Sequence, residues 1–456
     1  MLKQQSTLFN LARGNLKCLK QSSSSSSSTS LQFLKSANLP SGQQRFLSTS
    51  NQELITHSEQ FNLTPEQLEF QQLAKEFTNK HFQAHIVSEW DRNKTFPVET
   101  LREAAQLGFG GIYVSTDYGG TGLSRLDASI IFEQLAKGDV STTAYLTIHN
   151  MCCWMIDQYG TPQQKERYLP ALCSMEQFAS YCLTEPNSGS DAASLRTRAV
   201  QSEDGESFVL NGEKAFISGG GSSDVYLVMA RVVSSENQQS SSSDASNITC
   251  FIIEKNTPGL SFGKNEVKLG WNTQPTRAVI MDNVRLKKEN ILGEIGQGFK
   301  IAMQGLDGGR INIATCSVGG AQQCMNMAGE YLHTRKQFGK TLSQFQHLQF
   351  KLADMATRVH ASRLMVRAAA AQLDMEKSSH STTFCAMAKR FATDECFDVV
   401  NDALQMFGGY GYLNEYGIER YLRDLRVHCI LEGTNEVMRL ITSRYYLSLY
   451  KDGSQQ

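Results

Sequence analysis

YCLTEPNSGSD, residues Tyr181–Asp191, stands where the texture of the chain changes, and that change decides the fold. C-terminal to it, short β-branched and aromatic runs follow one another at Ser207–Leu210, Val225–Val233 and Ile248–Ile253, which is strand composition. Asn211-Gly212 falls between two such runs and predicts a tight hairpin. The polar stretch Ser234–Asn247, with four consecutive serines, predicts a long solvated loop between neighbouring strands. N-terminal to the quoted segment the pattern is helical from Thr64-Pro65-Glu66-Gln67 onward: a capping threonine, a proline at the first helical position and a glutamine three residues after the threonine. From Gly298 long amphipathic segments return, with apolar repeats over His347–Lys377 and Ser381–Phe407, the latter carried by Met387, Phe391, Phe397, Val400 and Leu404. The class is therefore α+β, with helices over 53–178, a β-sheet domain over 179–290 and helices again over 291–450.

The ends and the composition set limits. Residues 1–50 hold six basic residues (Lys3, Arg13, Lys17, Lys20, Lys35, Arg45) and no acidic one. With a seven-serine run at Ser22–Ser28 and Arg45-Phe46-Leu47-Ser48, this reads as a mitochondrial transit peptide outside the fold. The 456-residue chain has 44 basic against 45 acidic residues, so no global field attracts nucleic acid or an anionic membrane. No apolar run approaches the roughly 20 residues of a membrane span. Eleven cysteines without a CxxC pair do not form a disulfide framework. Cys152-Cys153 reads as buried packing, and Met355, Met365 and Met387 as core. His149, His333 and His428 show no ligand spacing, so no metal is expected.

Two segments carry chemistry. Tyr181–Asp191 can present backbone N–H groups and hydroxyls to a planar, polar-edged ligand, although alone it reads first as a serine-rich turn. The second is QMFGGYGYLNEYGIERYLRDLRVHCILEGTNEVMRLITSR, Gln405–Arg444. Its Gly408, Gly409 and Gly411 allow close backbone approach but do not fit GxGxxG, and no βαβ unit surrounds them. Glu432 follows the apolar Ile430-Leu431, a setting that strengthens a carboxylate as a base toward a carbon acid if it is poorly hydrated. A solvated surface glutamate is the commoner alternative.

Together these segments, TEP…GSD and GG.GY…R..RD.R…EGT, resemble the two signatures of the acyl-CoA dehydrogenase family, in order, across roughly residues 55–450. GGRINIA, RKQFGK, LADMATR, MAKRFATDECF and LEGTNEVMR point within it to short branched substrates. The resemblance implies that family's fold, with a C-terminal four-helix bundle, together with bound FAD, an acyl-CoA substrate, electron-transferring flavoprotein as acceptor and a homotetramer. It implies Glu432 as catalytic base. Tyr181, Cys182, Leu183, Thr184, Glu185, Pro186, Asn187, Ser188, Gly189 and Ser190 match the strand and loop lining the flavin, with Thr184 on its edge. Phe216, Ile217 and Ser218 match the segment packing on the ring, where the family often has tryptophan in place of Phe216. Arg335, Phe345, Gln346, Gln405, Met406, Phe407, Gly408 and Gly409 match positions holding the adenosine diphosphate, partly from a neighbouring subunit. Thr434, Asn435 and Glu436 complete the cofactor set. Ser190, Asp307, Gly308, Gly309, Arg310 and Arg444 match substrate contacts. An oxidase of the same chemistry and a catalytically silent assembly scaffold are the competing readings.

Overall fold

The computed structural model describes residues 58–234, 245–375 and 380–451, so the leader and most of the serine-rich stretch lie outside it. The chain divides into two units, one ending at Leu73 and one running from Ala74. In the first, the reciprocal cap forms at the head of α1 (Pro65–His81): Thr64 N–H donates to Gln67 Oε1 at 3.1 Å and Gln67 N–H to Thr64 Oγ1 at 3.2 Å. The functional site lies wholly in the second unit.

That unit continues with α2 (Ala84–Asn93), α3 (Val98–Gln106), α4 (Arg125–Gly138), α5 (Val140–Tyr159) and α6 (Pro162–Cys173). Helix α5 is buried almost all round, as an apolar helix of a large core must be, and Cys152 and Cys153 are fully enclosed in it.

The sheet follows: β1 (Ala179–Cys182), β2 (Arg198–Gln201), β3 (Ser207–Ser218), β4 (Val225–Ser234), β5 (Ile248–Glu254), β6 (Leu260–Phe262), β7 (Thr276–Lys287) and β8 (Ile291–Leu292). Its order is β6-β7-β3-β2-β4-β5-β8. The hub is β4, parallel to β1 along its first half and to β2 along its second, and antiparallel to β5. Nearly continuous burial of β4 matches its unbroken apolar run, since both faces are covered. The strand β8 extends the sheet to Leu292, two residues beyond the limit read from sequence.

Asn211-Gly212 is not a hairpin turn. Both residues lie inside the 12-residue β3, at a shift in its register with β7. Glycine is required there for contact, because a Cβ would sit 2.5 Å from Thr197 Oγ1.

The C-terminal part contains α7 (Gly298–Thr334), a short hairpin of β9 (Lys336–Gln337) and β10 (Lys340–Thr341), α8 (Gln346–Asp374), α9 (Ser381–Phe407), α10 (Ile418–Arg426) and α11 (Asn435–Lys451). On α9 the fully buried stripe is small, including Cys385, Ala386, Ala388, Ala392, Cys396 and Ala403. Of the residues that carry the apolar repeat, Met387, Phe391, Phe397 and Leu404 are half-buried, with Phe397 and Leu404 packed against the core, and Val400 is fully enclosed. Small side chains let the helices approach closely, and the bulky ones border the contact. A satisfied ionic group crosses this bundle. Glu133 of α4 accepts from Arg363 at 2.9 Å, and Arg363 also donates to Gln322 at 2.7 Å.

Candidate active site

The loop between α10 and α11 carries, near its start, His428, which is fully buried. Burial drives its pKa down to about 3, so the ring is neutral. Its Nε2 accepts from Trp271 Nε1 at 3.2 Å, which leaves Nδ1–H to donate to Ser317 Oγ at 2.7 Å. Past this anchor the backbone turns through two left-handed residues, Glu432 at φ 56° and Gly433 at φ 86°. A non-glycine residue in that region carries strain and persists only where its surroundings hold it. The holding groups are cations from two helices: Arg310 Nε of α7 donates to the Glu432 carbonyl at 3.3 Å, and Lys389 Nζ of α9 donates to the Gly433 carbonyl at 2.8 Å.

This turn presses the Glu432 carboxyl onto α7. A Cβ on Gly309 would lie 2.4 Å from Glu432 Oε2, so only glycine admits the carboxyl there. Oε2 is buried and has no hydrogen-bond partner among the described residues. Burial lifts the pKa to about 7, against the opposing pull of Arg310 and Lys389. Cys152 of α5 and Tyr181 of β1 also face this carboxylate, and the buried Tyr181 hydroxyl has no hydrogen-bond partner either. The site thus combines a proton acceptor of raised affinity, an unmet hydrogen-bonding capacity and a low-dielectric surround.

The other substrate positions divide. Asp307 and Arg310 are buried and joined at 2.6 Å, with Thr382 Oγ1 donating to Asp307 Oδ2 at 2.6 Å. Gly308 backs onto Arg125, whose guanidinium lies 3.7 Å from the centre of the Tyr113 ring. Ser190 and Arg444 are exposed, and no hydrogen bond or ion pair joins either to Glu432.

Along the Tyr181–Ser190 segment, side chains and backbone part company. Cys182 and Leu183 are buried, and Glu185 is locked by Lys214 Nζ at 2.8 Å and by the Arg196 and Thr197 N–H groups at 2.6 and 2.9 Å. Ser188 closes a short bridge with Glu185. These four can offer a ligand only main-chain atoms, while Pro186, Asn187, Gly189 and Ser190 stand outward. Next to Thr184, whose carbonyl accepts from Ala215 N–H at 2.8 Å, β3 kinks. Phe216 there adopts φ 59° and is 70% exposed, whereas Ile217 is buried and the Ser218 carbonyl accepts from Ser180 Oγ at 2.6 Å. An aromatic ring held outward at a backbone cost is a platform awaiting a partner surface.

A separate cleft of about 550 Å³ gathers Arg335, Gln405, Met406, Phe407, Gly408 and Gly409 with Tyr331 and Tyr410. Nothing lies within 4 Å of a Cβ built on Gly408 or Gly409, so the backbone there is open. Phe345 and Gln346, at the head of α8, are not among the residues that line it. Asn435 is buried, Thr434 Oγ1 caps α11 by accepting from Val437 N–H at 3.3 Å, and Glu436 is exposed. Among the described residues, no group of three histidines, cysteines or carboxylates could hold a metal, and no helix is long and apolar enough to cross a membrane.

Sequence reasoning passed over Lys389, Lys214 and Arg125. The first was findable: a lysine between Ala388 and Ala392 on the buried stripe of a helix must meet a partner.

Comparison with known proteins gives three family models in chain order: "Acyl-CoA dehydrogenase, N-terminal domain" over residues 64–176, "middle domain" over 180–284 and "C-terminal domain" over 296–447. The chain is 57% identical over 382 residues to the mitochondrial isobutyryl-CoA dehydrogenase of Dictyostelium discoideum, covering 84% of this chain and 89% of that one. The Bos taurus protein of the same description is 56% identical over 385 residues, covering 84% and 90%. Among solved structures, butyryl-CoA dehydrogenase from Megasphaera elsdenii superposes with a TM-score of 0.80 at 40% identity, covering 85% of this chain and 99% of that one.

Proposed function

This chain belongs to the acyl-CoA dehydrogenase family, and from that premise we propose that it converts isobutyryl-CoA to methacrylyl-CoA, a step of valine breakdown, with Glu432 as the base. The observation that carries the reading is the Glu432 carboxylate itself: with Oε2 buried and unpartnered and its pKa raised to about 7, it can accept a proton that no group of the protein is placed to give it. The α-hydrogen of an acyl thioester is such a donor, provided that its carbonyl is polarised as the proton leaves.

The residues present fit FAD. Phe216 offers an exposed ring beside Thr184, the Tyr181 hydroxyl lacks a partner, and the cleft at Arg335 and Gly408-Gly409 has a cation beside open backbone suited to a pyrophosphate. Arg335, Gln405, Gly408 and Gly409 would hold the adenosine diphosphate, and the 181–190 backbone with Phe216 the ring. FAD, when bound, would supply the acceptor for the β-hydride, with electron-transferring flavoprotein as the onward acceptor. The chain's own part is alignment. Gly309 leaves room for the Glu432 carboxyl, the α7 and α9 cations hold its backbone, and the buried Cys152 of α5 faces it. The relatives' descriptions, together with the basic leader, support a mitochondrial protein, in our reading a matrix homotetramer.

The test is an acyl-CoA panel on the purified flavoprotein under anaerobic conditions. Isobutyryl-CoA branches at the α-carbon and isovaleryl-CoA at the β-carbon, and one misplaced methyl in a snug pocket costs about 10- to 200-fold in kcat/KM. Isobutyryl-CoA is therefore expected to exceed butyryl-CoA and isovaleryl-CoA by that range. Butyryl-CoA as best substrate would move the protein to another branch of the family, and failure of every acyl-CoA to bleach the flavin would favour the scaffold reading.

A further inference from the structure

Building on the reading of Glu432 as the base, we propose that Lys389 is its positioning residue: by holding the Gly433 carbonyl, its ammonium keeps the left-handed turn at 432–433 closed and the carboxyl against Gly309. Lys389 is fully buried, and both its hydrogen-bond acceptors are neutral oxygens, the Gly433 carbonyl and Asn435 Oδ1, each at 2.8 Å. No carboxylate lies within ion-pair distance of it among the described residues. A buried ammonium without a counter-charge is costly, so burial draws the Lys389 pKa down to about 8, and such a group is not needed to fill space on a stripe of alanines. Its acceptors are presented to it by built geometry. Asn435 Nδ2 donates to Thr393 Oγ1 at 2.9 Å and to Asp394 Oδ1 at 2.6 Å, which turns the amide oxygen toward Lys389. Consecutive carbonyls, 432 and 433, are thus gripped from α7 and α9, and a turn held at both carbonyls cannot relax out of its strained region.

The same placement couples charge. Around Glu432 stand Arg310, Lys389, Tyr181 and Cys152; around Lys389 stand Cys429, Asp394, Arg310, His428 and Glu436. Only Arg310 and Lys389 favour the ionised form of the base, so loss of Lys389 moves Glu432 further upward.

The experiment follows anaerobic single-turnover bleaching of the FAD-loaded protein by isobutyryl-CoA from pH 6 to 9 in Lys389→Met, Lys389→Gln and Lys389→Arg. For Lys389→Met the acid limb should move up by about one pH unit. Its limiting rate should fall by about tenfold to a hundredfold, with little change in the isobutyryl-CoA concentration giving half-maximal rate. Lys389→Gln keeps one donor for the Gly433 carbonyl but no charge. It should show the limb shift with a smaller loss of rate, and Lys389→Arg should restore part of both. An unchanged limb and limiting rate in the FAD-loaded fraction of Lys389→Met or Lys389→Gln overturns the proposal, and so does failure of both variants to fold, which would make Lys389 structural. Glu432→Gln run beside them separates the two claims: if it still bleaches, the base assignment falls; if it is inert while the Lys389 variants behave as wild type, only the positioning role falls.

Discussion

Two glutamates are withdrawn from water in this molecule, and they are prepared for opposite tasks. Glu185 accepts from a fully buried lysine and two backbone N–H groups. Burial alone would raise its carboxyl, but Lys214 and those donors together hold it below the usual 4.5. Glu432 has two cations near its backbone and none on its Oε2, and burial prevails, to about 7. Hydrogen bonds to the charged form make a carboxylate a structural tie, and their absence makes it a base. The pH signs are opposite too. Glu185, with a depressed folded pKa, stabilises the fold above 4.5 and loses that contribution as pH falls through its folded value. Glu432, with a raised one, costs stability as pH climbs from 4.5, and the cost is complete above about 7.

The contrast is sharpest under substitution. Glu432→Gln should keep the fold and the flavin but reduce bleaching by about two to four orders of magnitude, the usual scale of a lost general base. It should also unfold at a slightly higher temperature than the wild type at pH 8, because a buried charge is gone. Near-normal turnover would erase the distinction between the two residues. Lys214→Met should act through stability instead, costing about 3–5 kcal/mol because it strands the buried Glu185. Denaturant unfolding reads this directly, and an unshifted midpoint would show that the pair is not a tie. Arg335→Ala should weaken FAD retention by about 10- to 150-fold, the worth of one charge-assisted hydrogen bond, with the base untouched. Flavin content after dialysis checks it, and unchanged content would remove Arg335 from the cofactor set.

Much of this was legible in the chain, for reasons that differ by element. The repeat over Ser381–Phe407 gave α9 to the residue, and Gly408, at φ 60°, ends it. The repeat did not show which residues are fully enclosed, because hydrophobicity marks bulky residues while close helix packing selects small ones. Asn211-Gly212 misled for a related reason: glycine there answers a close approach by Thr197, a tertiary fact that turn chemistry cannot anticipate. Ile430-Leu431 pointed to an apolar setting for Glu432, but Ile430 is exposed, and the groups that face the carboxyl are Gly309, Cys152 and Tyr181 from other elements. The two carbonyl grips that make the left-handed turn at Glu432 possible come from residues 122 and 44 positions away, and no local pattern announces them.

Whether Glu432 acts as an unpartnered, desolvated base is tested most directly by the pH dependence of anaerobic single-turnover flavin bleaching by isobutyryl-CoA in the wild-type protein. The rate should rise by about tenfold per pH unit below a midpoint near 7 and level off between there and about 8, where burial lets Lys389 begin to lose its proton. A rate that is flat from about pH 5 to 9, or that levels off near the ordinary carboxylate value of 4.5, would contradict that role for Glu432.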